Sequence, residues 1–375
     1  MSWTQINSIT ISDIHFGCVS NPSEKIIAGL EKKLTLAYLK KMNVHIVYIA
    51  GDVFERGLPT NHPDIPHVVS WQRRFLARCG RLGIIVIVLE GTPSHDRKQS
   101  HLFTAINDAA SDEDKCELYY VTEIDILFIP KYGINVLCVP DEKNTSDDIT
   151  LRQVKAMMAT RAIDKVDFAV MHGFFDFQVP AGRTTRFHDS KAYLDLVRYL
   201  IWIGHDHTFR KHDRIIVQGS PDRQRHGTEE DKGFIYASVH KDGTYKATFE
   251  VNQYAMVFKT VTIDPRVDVG TREVHTACDS ISGHGHVRIA ANHDHPILAA
   301  LDSFKVKYPF IKFSKLVLDD TPKSETIINE DEALEYVPFT IDEANIKTVV
   351  KERLSIALMT DAEKEYFESL MDSVI

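Results

Sequence analysis

Asn7-Ser8-Ile9-Thr10-Ile11-Ser12 is a β-prone run that ends on Asp13-Ile14-His15. The same join, an apolar run closing on acids and imidazoles, recurs four more times. His45–Ala50 runs into Gly51-Asp52-Val53-Phe54-Glu55, and Ile84–Leu89 into Gly91-Thr92-Pro93-Ser94-His95-Asp96. Asp167–Met171 runs into His172-Gly173, and Tyr199–Ile203 into Gly204-His205-Asp206-His207. Between these runs lie helical patterns at Ser23–Met42 (Ile26, Ile27, Leu30, Leu34 and Ala37 on one face), Ile65–Leu82, Gln99–Ala109 and Asp147–Asp164. Further strands read at Ile124–Ile129 and Ile134–Val139. Strand–helix alternation of this kind predicts an α/β domain.

Beyond residue 210 the pattern changes. Arg214–Val217, Gly233–His240, Tyr245–Val251 and Val257–Ile263 alternate apolar and polar positions, so the sheet is expected to finish as an antiparallel meander. Asp264-Pro265 marks a boundary, giving a first domain over 1–265. A strand at His286–Ala291, a helix at Pro296–Tyr308 and a strand at Phe310–Leu318 make a small β-α-β unit over 266–318. An acidic linker over 319–339 precedes two capping-box signatures, Thr340-x-x-Glu343 and Thr360-x-x-Glu363, which predict a helix pair over 340–375.

Composition narrows the class. The chain has 375 residues and a formal charge of −9, but residues 319–375 alone hold 15 acidic and 5 basic residues. The remaining 318 residues carry 39 bases and 38 acids, so the acidity does not exclude a polyanionic partner. No apolar run has the length of a membrane helix, and the N-terminus lacks the basic-then-apolar layout of a signal peptide. Five scattered cysteines without C-x-x-C spacing point to a reducing, cytoplasmic setting, and away from a disulfide framework or a cysteine zinc site.

Taken singly, each polar cluster has an ordinary structural reading; Gly-Asp after a strand, for one, is a good turn. Together they place more carboxylates and imidazoles at one sheet edge than a single ion needs. Two ions sharing Asp52 would use them all, and such a pair activates a water and clamps a phosphate for in-line attack.

Asp-x-His, Gly-Asp, a Gly-x-His-Asp-like segment, His-Gly and Gly-His-x-His in this order resemble the calcineurin-like metallophosphoesterase superfamily. More narrowly, Gln218-Gly219-Ser220-Pro221-Asp222-Arg223, followed by Glu229-Glu230-Asp231-Lys232-Gly233-Phe234, is similar to the SbcD-type DNA-repair nucleases. The resemblance covers most of the chain. It implies an α/β fold built as a metallophosphoesterase β-sandwich flanked by helices, with 266–318 as a capping domain and 340–375 as an element docking on an SbcC-like coiled-coil ATPase. It further implies two divalent metal ions, Mn²⁺ first and Mg²⁺ second, DNA as substrate, and pairing as a homodimer. One ion would be held by Asp13, His15, Asp52 and His207, the other by Asp52, His172, His205 and the family's asparagine. That asparagine is missing. The family reads Gly-Asn-His where this chain reads Gly91-Thr92-Pro93-Ser94-His95: anchoring on the histidine puts Ser94 in the slot, and anchoring on the glycine puts Thr92 there. His95 aligns with the family's catalytic histidine, and Glu55 stands where members vary between histidine and aspartate.

Arg223, Arg225, Arg183 and Arg186 are candidates for contact with a nucleic-acid backbone. His284, His286, His293 and His295 are expected to be a solvated loop rather than a zinc site. Two rival functions stand beside the nuclease: a phosphoesterase acting on small phosphate esters or nucleotides, and a non-catalytic subunit that binds DNA ends.

Overall fold

The computed structural model describes residues 3–141, 147–179, 186–264 and 271–318. The expected acidic linker and C-terminal helix pair lie outside the described residues. Among the described residues fifteen strands appear in chain order: β1 (Gln5–Ile11), β2 (Ile46–Ala50), β3 (Ile85–Leu89), β4 (Leu118–Val121), β5 (Asp125–Ile129), β6 (Ile134–Val139), β7 (Phe168–His172) and β8 (Ile201–Gly204) lead. β9 (Arg210–His212), β10 (Ile215–Val217), β11 (Gly233–His240), β12 (Tyr245–Val251), β13 (Val257–Thr262), β14 (Gly285–Asn292) and β15 (Ile311–Leu318) follow. The helices are α1 (Ser23–Lys33), α2 (Leu36–Lys41), α3 (Asp64–Leu82), α4 (Leu102–Asp108), α5 (Asp147–Thr160), α6 (Ser190–Leu196), α7 (Thr271–Asp279) and α8 (Leu301–Lys307).

The α/β class is as expected, and the strands form two six-stranded sheets and a three-stranded one. The first sheet runs β12-β11-β1-β2-β3-β4, parallel from β1 to β4, with β11 antiparallel to β1. The second runs β5-β6-β7-β8-β10-β9, with β6, β7, β8 and β10 parallel. Alternation along the central strands sorts their side chains between layers. Val47 and Ile49 of β2 face Leu30 of α1, Leu34 at its end, and Trp71 and Phe75 of α3. Ile46, Tyr48 and Ala50 face Phe168, Val170 and Trp202 of the second sheet, with the Tyr48 and Trp202 rings stacked at 4.5 Å. On the second sheet's other face, Ala169, Met171 and Ile201 pack against Val154, Met158 and Tyr193 of α5 and α6. The order is helix, sheet, sheet, helix, and each large apolar side chain so buried contributes about 1.5–3 kcal/mol.

Three expectations are corrected. The helix read over Ser23–Met42 is two helices, because the Thr35 hydroxyl accepts the Tyr38 N–H at 3.1 Å and starts α2 afresh. Val257–Ile263 does not end the antiparallel meander: β13 pairs in parallel with β14, and β14 with β15. Its apolar residues join Val287, Ile289 and Phe304 in a separate core, which draws the strand out of the first sheet. The third sheet therefore begins before Asp264-Pro265, and with α7 it is a β-α-β-α-β unit rather than β-α-β. All five cysteines are buried free thiols.

Candidate metal centre

The polar clusters all sit at the C-terminal ends of parallel strands, on both sheets. Four of the side chains carried there belong to residues with left-handed backbones: Asp13 (φ 53°), His15 (φ 55°), Asp52 (φ 50°) and His205 (φ 99°). Non-glycine residues adopt such angles at a cost, and structures tolerate them mainly where a side chain must be aimed. Close approach demands glycine at Gly91, where a Cβ would lie 2.1 Å from the Asp52 nitrogen, and at Gly204, where it would lie 2.3 Å from the Ala50 oxygen.

The side chains gather into sets that could each hold a cation, their ligand atoms within 4.8 Å of one another: Asp13, His15 and His207; Asp52, His172 and His205; and His15, Asp52 and His95. In the first set the His15 and His207 Nε2 atoms face each other at 3.1 Å, and His207 Nε2 lies 3.6 Å from Asp13 Oδ1. In the second, His172 Nε2 lies 3.2 Å from Asp52 Oδ2 and 3.2 Å from His205 Nδ1. Convergent imidazole nitrogens beside buried carboxylates are the donor set of a first-row divalent ion. The residues fit such an ion; Asp52 belongs to the second and third sets, and His15 joins the third to the first.

A surrounding shell aims these donors. Glu55 Oε2 lies 2.7 Å from His15 Nδ1, on the side of the ring away from Nε2 and the centre, where a carboxylate can orient the imidazole. The Ala50 carbonyl does the same for His172, 2.7 Å from Nδ1. The His205 N–H donates to both Asp13 oxygens at 3.0 Å. Asp96, fully buried, accepts the Phe54 N–H at 2.9 Å and the Gly91 N–H at 2.8 Å, joining the loops after β2 and β3. Lys232 is 1% exposed, and its ammonium donates to the His207 carbonyl at 2.8 Å and to Glu230 at 2.6 Å. Sequence reasoning placed Lys232 in a motif but gave it no task; a lysine in that segment carries no outward sign of burial.

The electrostatics are those of a cation site. Burial pushes the Asp13 carboxyl up, only partly offset by His172 and His15. Burial also disfavours charge on His172, but Asp52 and Asp13 outweigh it and carry that imidazole up to about 10. Asp52 is held well below the usual carboxylate range: burial opposes this, and the charge and hydrogen bond of His172 prevail. Burial drives His205 down, helped by His172, and drives His207 further down, helped by His15 and Lys232. A ligating imidazole must be neutral, so a cation would take over the charge that His172 otherwise bears as a proton.

Asp13, His15, Asp52, His172, His205 and His207 are thus brought together as expected. Ser94 is not. It is exposed, and its backbone carbonyl accepts from Arg97 at 3.3 Å. Thr92 takes the slot instead. Its hydroxyl lies 3.1 Å from Asp52 Oδ2, 3.2 Å from His205 Nδ1 and 3.4 Å from His172 Nε2, while its N–H donates to Asp52 Oδ1 at 2.6 Å. The reason is the turn: the His95 and Asp96 N–H groups both return to the Thr92 carbonyl, at 2.9 and 3.1 Å, and swing residue 94 outward. His95 Nδ1 lies 3.3 Å from Asp52 Oδ2, and with its side chain 32% exposed it is more open than those of His15, His172 and His207.

The Arg223 guanidinium is engaged within the chain. It donates to the Glu229, Glu230 and Met256 carbonyls at 3.0–3.2 Å, tying its segment to the approach to β13. Arg225 is exposed, and its charge reaches His207. Arg186 pairs with Asp141 at 3.2 Å, and Arg183 lies outside the described residues. The solvated-loop expectation fails at His286, which stacks on Phe258 at 4.3 Å with Nε2 2.7 Å from the Ser20 carbonyl.

No family model matches this chain, and no curated protein matches it. Among solved structures, one chain is similar at 12% identity over 65% of this chain and 99% of its own, with a TM-score of 0.39. GAP50, the anchor in the inner membrane complex of Plasmodium, is similar at 12% identity over 68% and 87%, with a TM-score of 0.42. Likenesses of this grade leave the reading of the centre to its geometry. Among the described residues, no helix is long and apolar enough to cross a membrane.

Proposed function

We propose that the chain is a metal-dependent DNA nuclease subunit of the SbcD type, hydrolysing phosphodiester bonds at DNA ends in repair or recombination. The observation that carries the reading is the chain of donor sets: Asp52 is common to the His172–His205 set and the His15–His95 set, and His15 links the latter to Asp13 and His207. Two sheets that share a core, with these donors at their strand ends, support the metallophosphoesterase sandwich, and β13 to β15 support the cap. When bound, a pair of divalent ions, Mn²⁺ in this proposal, supplies an activated water and neutralises phosphate charge. The chain's own part is positional. Asp52 serves the second and third sets; Glu55 and the Ala50 carbonyl keep His15 and His172 in the tautomer that points Nε2 inward; Thr92 completes the second set. His95, open to solvent beside Asp52, gives a proton to the departing sugar oxygen. The remaining parts of the proposal are a cytoplasmic setting and an SbcC-like ATPase docked on 340–375.

The test is metal content by mass spectrometry beside Mn²⁺-dependent cleavage of linear DNA and of p-nitrophenyl phosphate. The expected result is DNA cleavage that disappears, together with bound metal, in Asp52→Ala. Hydrolysis of p-nitrophenyl phosphate with DNA left intact, also in the presence of the ATPase, would overturn the nuclease and favour a small-ester phosphatase.

A further inference from the structure

The strand that leaves the centre is basic and aromatic throughout. β9 begins three residues after His207, and Arg210, Lys211 and His212 are all exposed. Among the described residues it pairs with β10 alone and ends the sheet. Phe209, one residue earlier, is 38% exposed while its ring stacks on Phe249 at 4.8 Å and 19°. Alternation puts 209 and 211 on one side of the strand and 210 and 212 on the other. On the first side Lys211 Nζ lies 4.7 Å over the Tyr245 ring, continuing the Phe209–Phe249 stack along the β12 edge. On the second side the His212 ring stacks on Phe177 at 4.5 Å, and Arg210 lies 3.3 Å from Asp206. Both sides of the strand thus combine a cation with a ring.

We propose that Phe209 and β9 form the track on which a single strand of nucleic acid lies as it enters or leaves the centre. Phe209 would stack a base, and Arg210 and Lys211 would pair with phosphates. The assignment rests on reading the centre as one that acts on nucleic acid. Sequence-tolerant single-strand binding uses these two elements, a basic path along the backbone and rings on which bases stack. A duplex, whose bases are already stacked inside, can use the cations but not the ring. The plainer role of such residues is to guard an open strand edge against pairing with other chains. That role predicts no effect of their removal on nucleic-acid affinity.

The experiment is fluorescence anisotropy of labelled oligothymidylate and of a blunt duplex with the full chain in EDTA, across a salt series. In Arg210→Gln/Lys211→Gln, the dependence of log affinity on log salt for the single strand should fall by about 1.4, from roughly 0.7 per phosphate contact. Phe209→Leu, which keeps the cover over Phe249 but removes the π-face, should weaken oligothymidylate about tenfold and the duplex hardly at all. Lys165→Gln, at the opposite end of β7, serves as the unaffected control. An unchanged slope in the double variant, or, in Phe209→Leu, wild-type single-strand affinity or equal losses for duplex and single strand, would each overturn the track. Because binding is read without metal, the two readings fail separately. A protein that binds through these residues yet cleaves nothing with Mn²⁺ refutes the nuclease, whereas one that cleaves but ignores the substitutions refutes the track.

Discussion

Replacing Lys232 by methionine removes one ammonium and almost nothing else, because the aliphatic stem keeps its packing. Two contacts disappear, to the His207 carbonyl and to Glu230. The His207 carbonyl retains the Ser220 N–H at 3.2 Å, so it is not orphaned. The Glu230 side chain is 38% exposed and can recover water, and Thr208 Oγ1 still donates to it at 3.2 Å. Both remaining partners are therefore cushioned. The loss should fall at the low end of a hydrogen bond to a charged group, about 1.5 kcal/mol rather than 3. The larger effect should be on the centre, since the ammonium holds the backbone of a residue whose Nε2 faces His15. Outer-shell partners of metal ligands are worth about 10–100-fold in metal affinity. Urea unfolding gives the first quantity and calorimetric Mn²⁺ titration the second, with Lys232→Arg as a variant that restores the charge. Wild-type Mn²⁺ affinity in a folded Lys232→Met would refute the argument that this buried cation positions His207.

Three further outcomes follow from the same geometry. Thr92→Val should lose or weaken one equivalent of Mn²⁺ in the titration while Ser94→Ala leaves both unchanged; the reverse result would restore the histidine-anchored alignment. His95→Ala should retain bound metal and lose about 10²–10⁴-fold in DNA cleavage rate, the range of a general acid, and loss of a metal equivalent would make it a ligand instead. His226 is driven by burial, then by Arg288 and His286, from 6.5 down to about 3, so it stays neutral in the folded chain where the unfolded chain takes up a proton. Stability should accordingly fall as pH drops from 6.5 towards 3. His226→Gln should flatten that part of the urea-midpoint profile, and an identical profile would refute the assignment.

Much of the centre is legible along the chain because a parallel sheet delivers every strand end to one edge. Asp13, Asp52, His172 and His205 each follow an apolar run directly; strand order pairs the first two on one sheet and the last two on the other, and the packing of the two sheets brings the pairs together. Thr92 and Ser94 show where that logic stops. Both are hydroxyl residues within one turn, and the hydrogen bonds returning to the Thr92 carbonyl, which decide between them, are not written in the spacing. Arg223 belongs to a recognisable segment, yet its carbonyl partners come from residues 229, 230 and 256, and only the folded chain collects them. The same holds for β13, whose alternation suits either an antiparallel edge or a parallel strand. Its partner β14 lies more than 20 residues on, and the shared core with Phe304 chooses between the two.

The left-handed backbones of Asp13, His15, Asp52 and His205 have a thermal consequence. Each such position costs on the order of 1 kcal/mol or more, a large amount against the roughly 5–15 kcal/mol that separates a folded domain from its unfolded chain. The chain thus holds its strand ends in a conformation it would relax if it could, and the cross-bracing by Asp96, Glu55 and Lys232 prevents it. A cation captured by these residues binds the folded form alone and raises the melting temperature with its concentration. Heating the protein with and without Mn²⁺ would therefore read the hold of these braced strand ends on the ion, as a displacement of the whole unfolding curve.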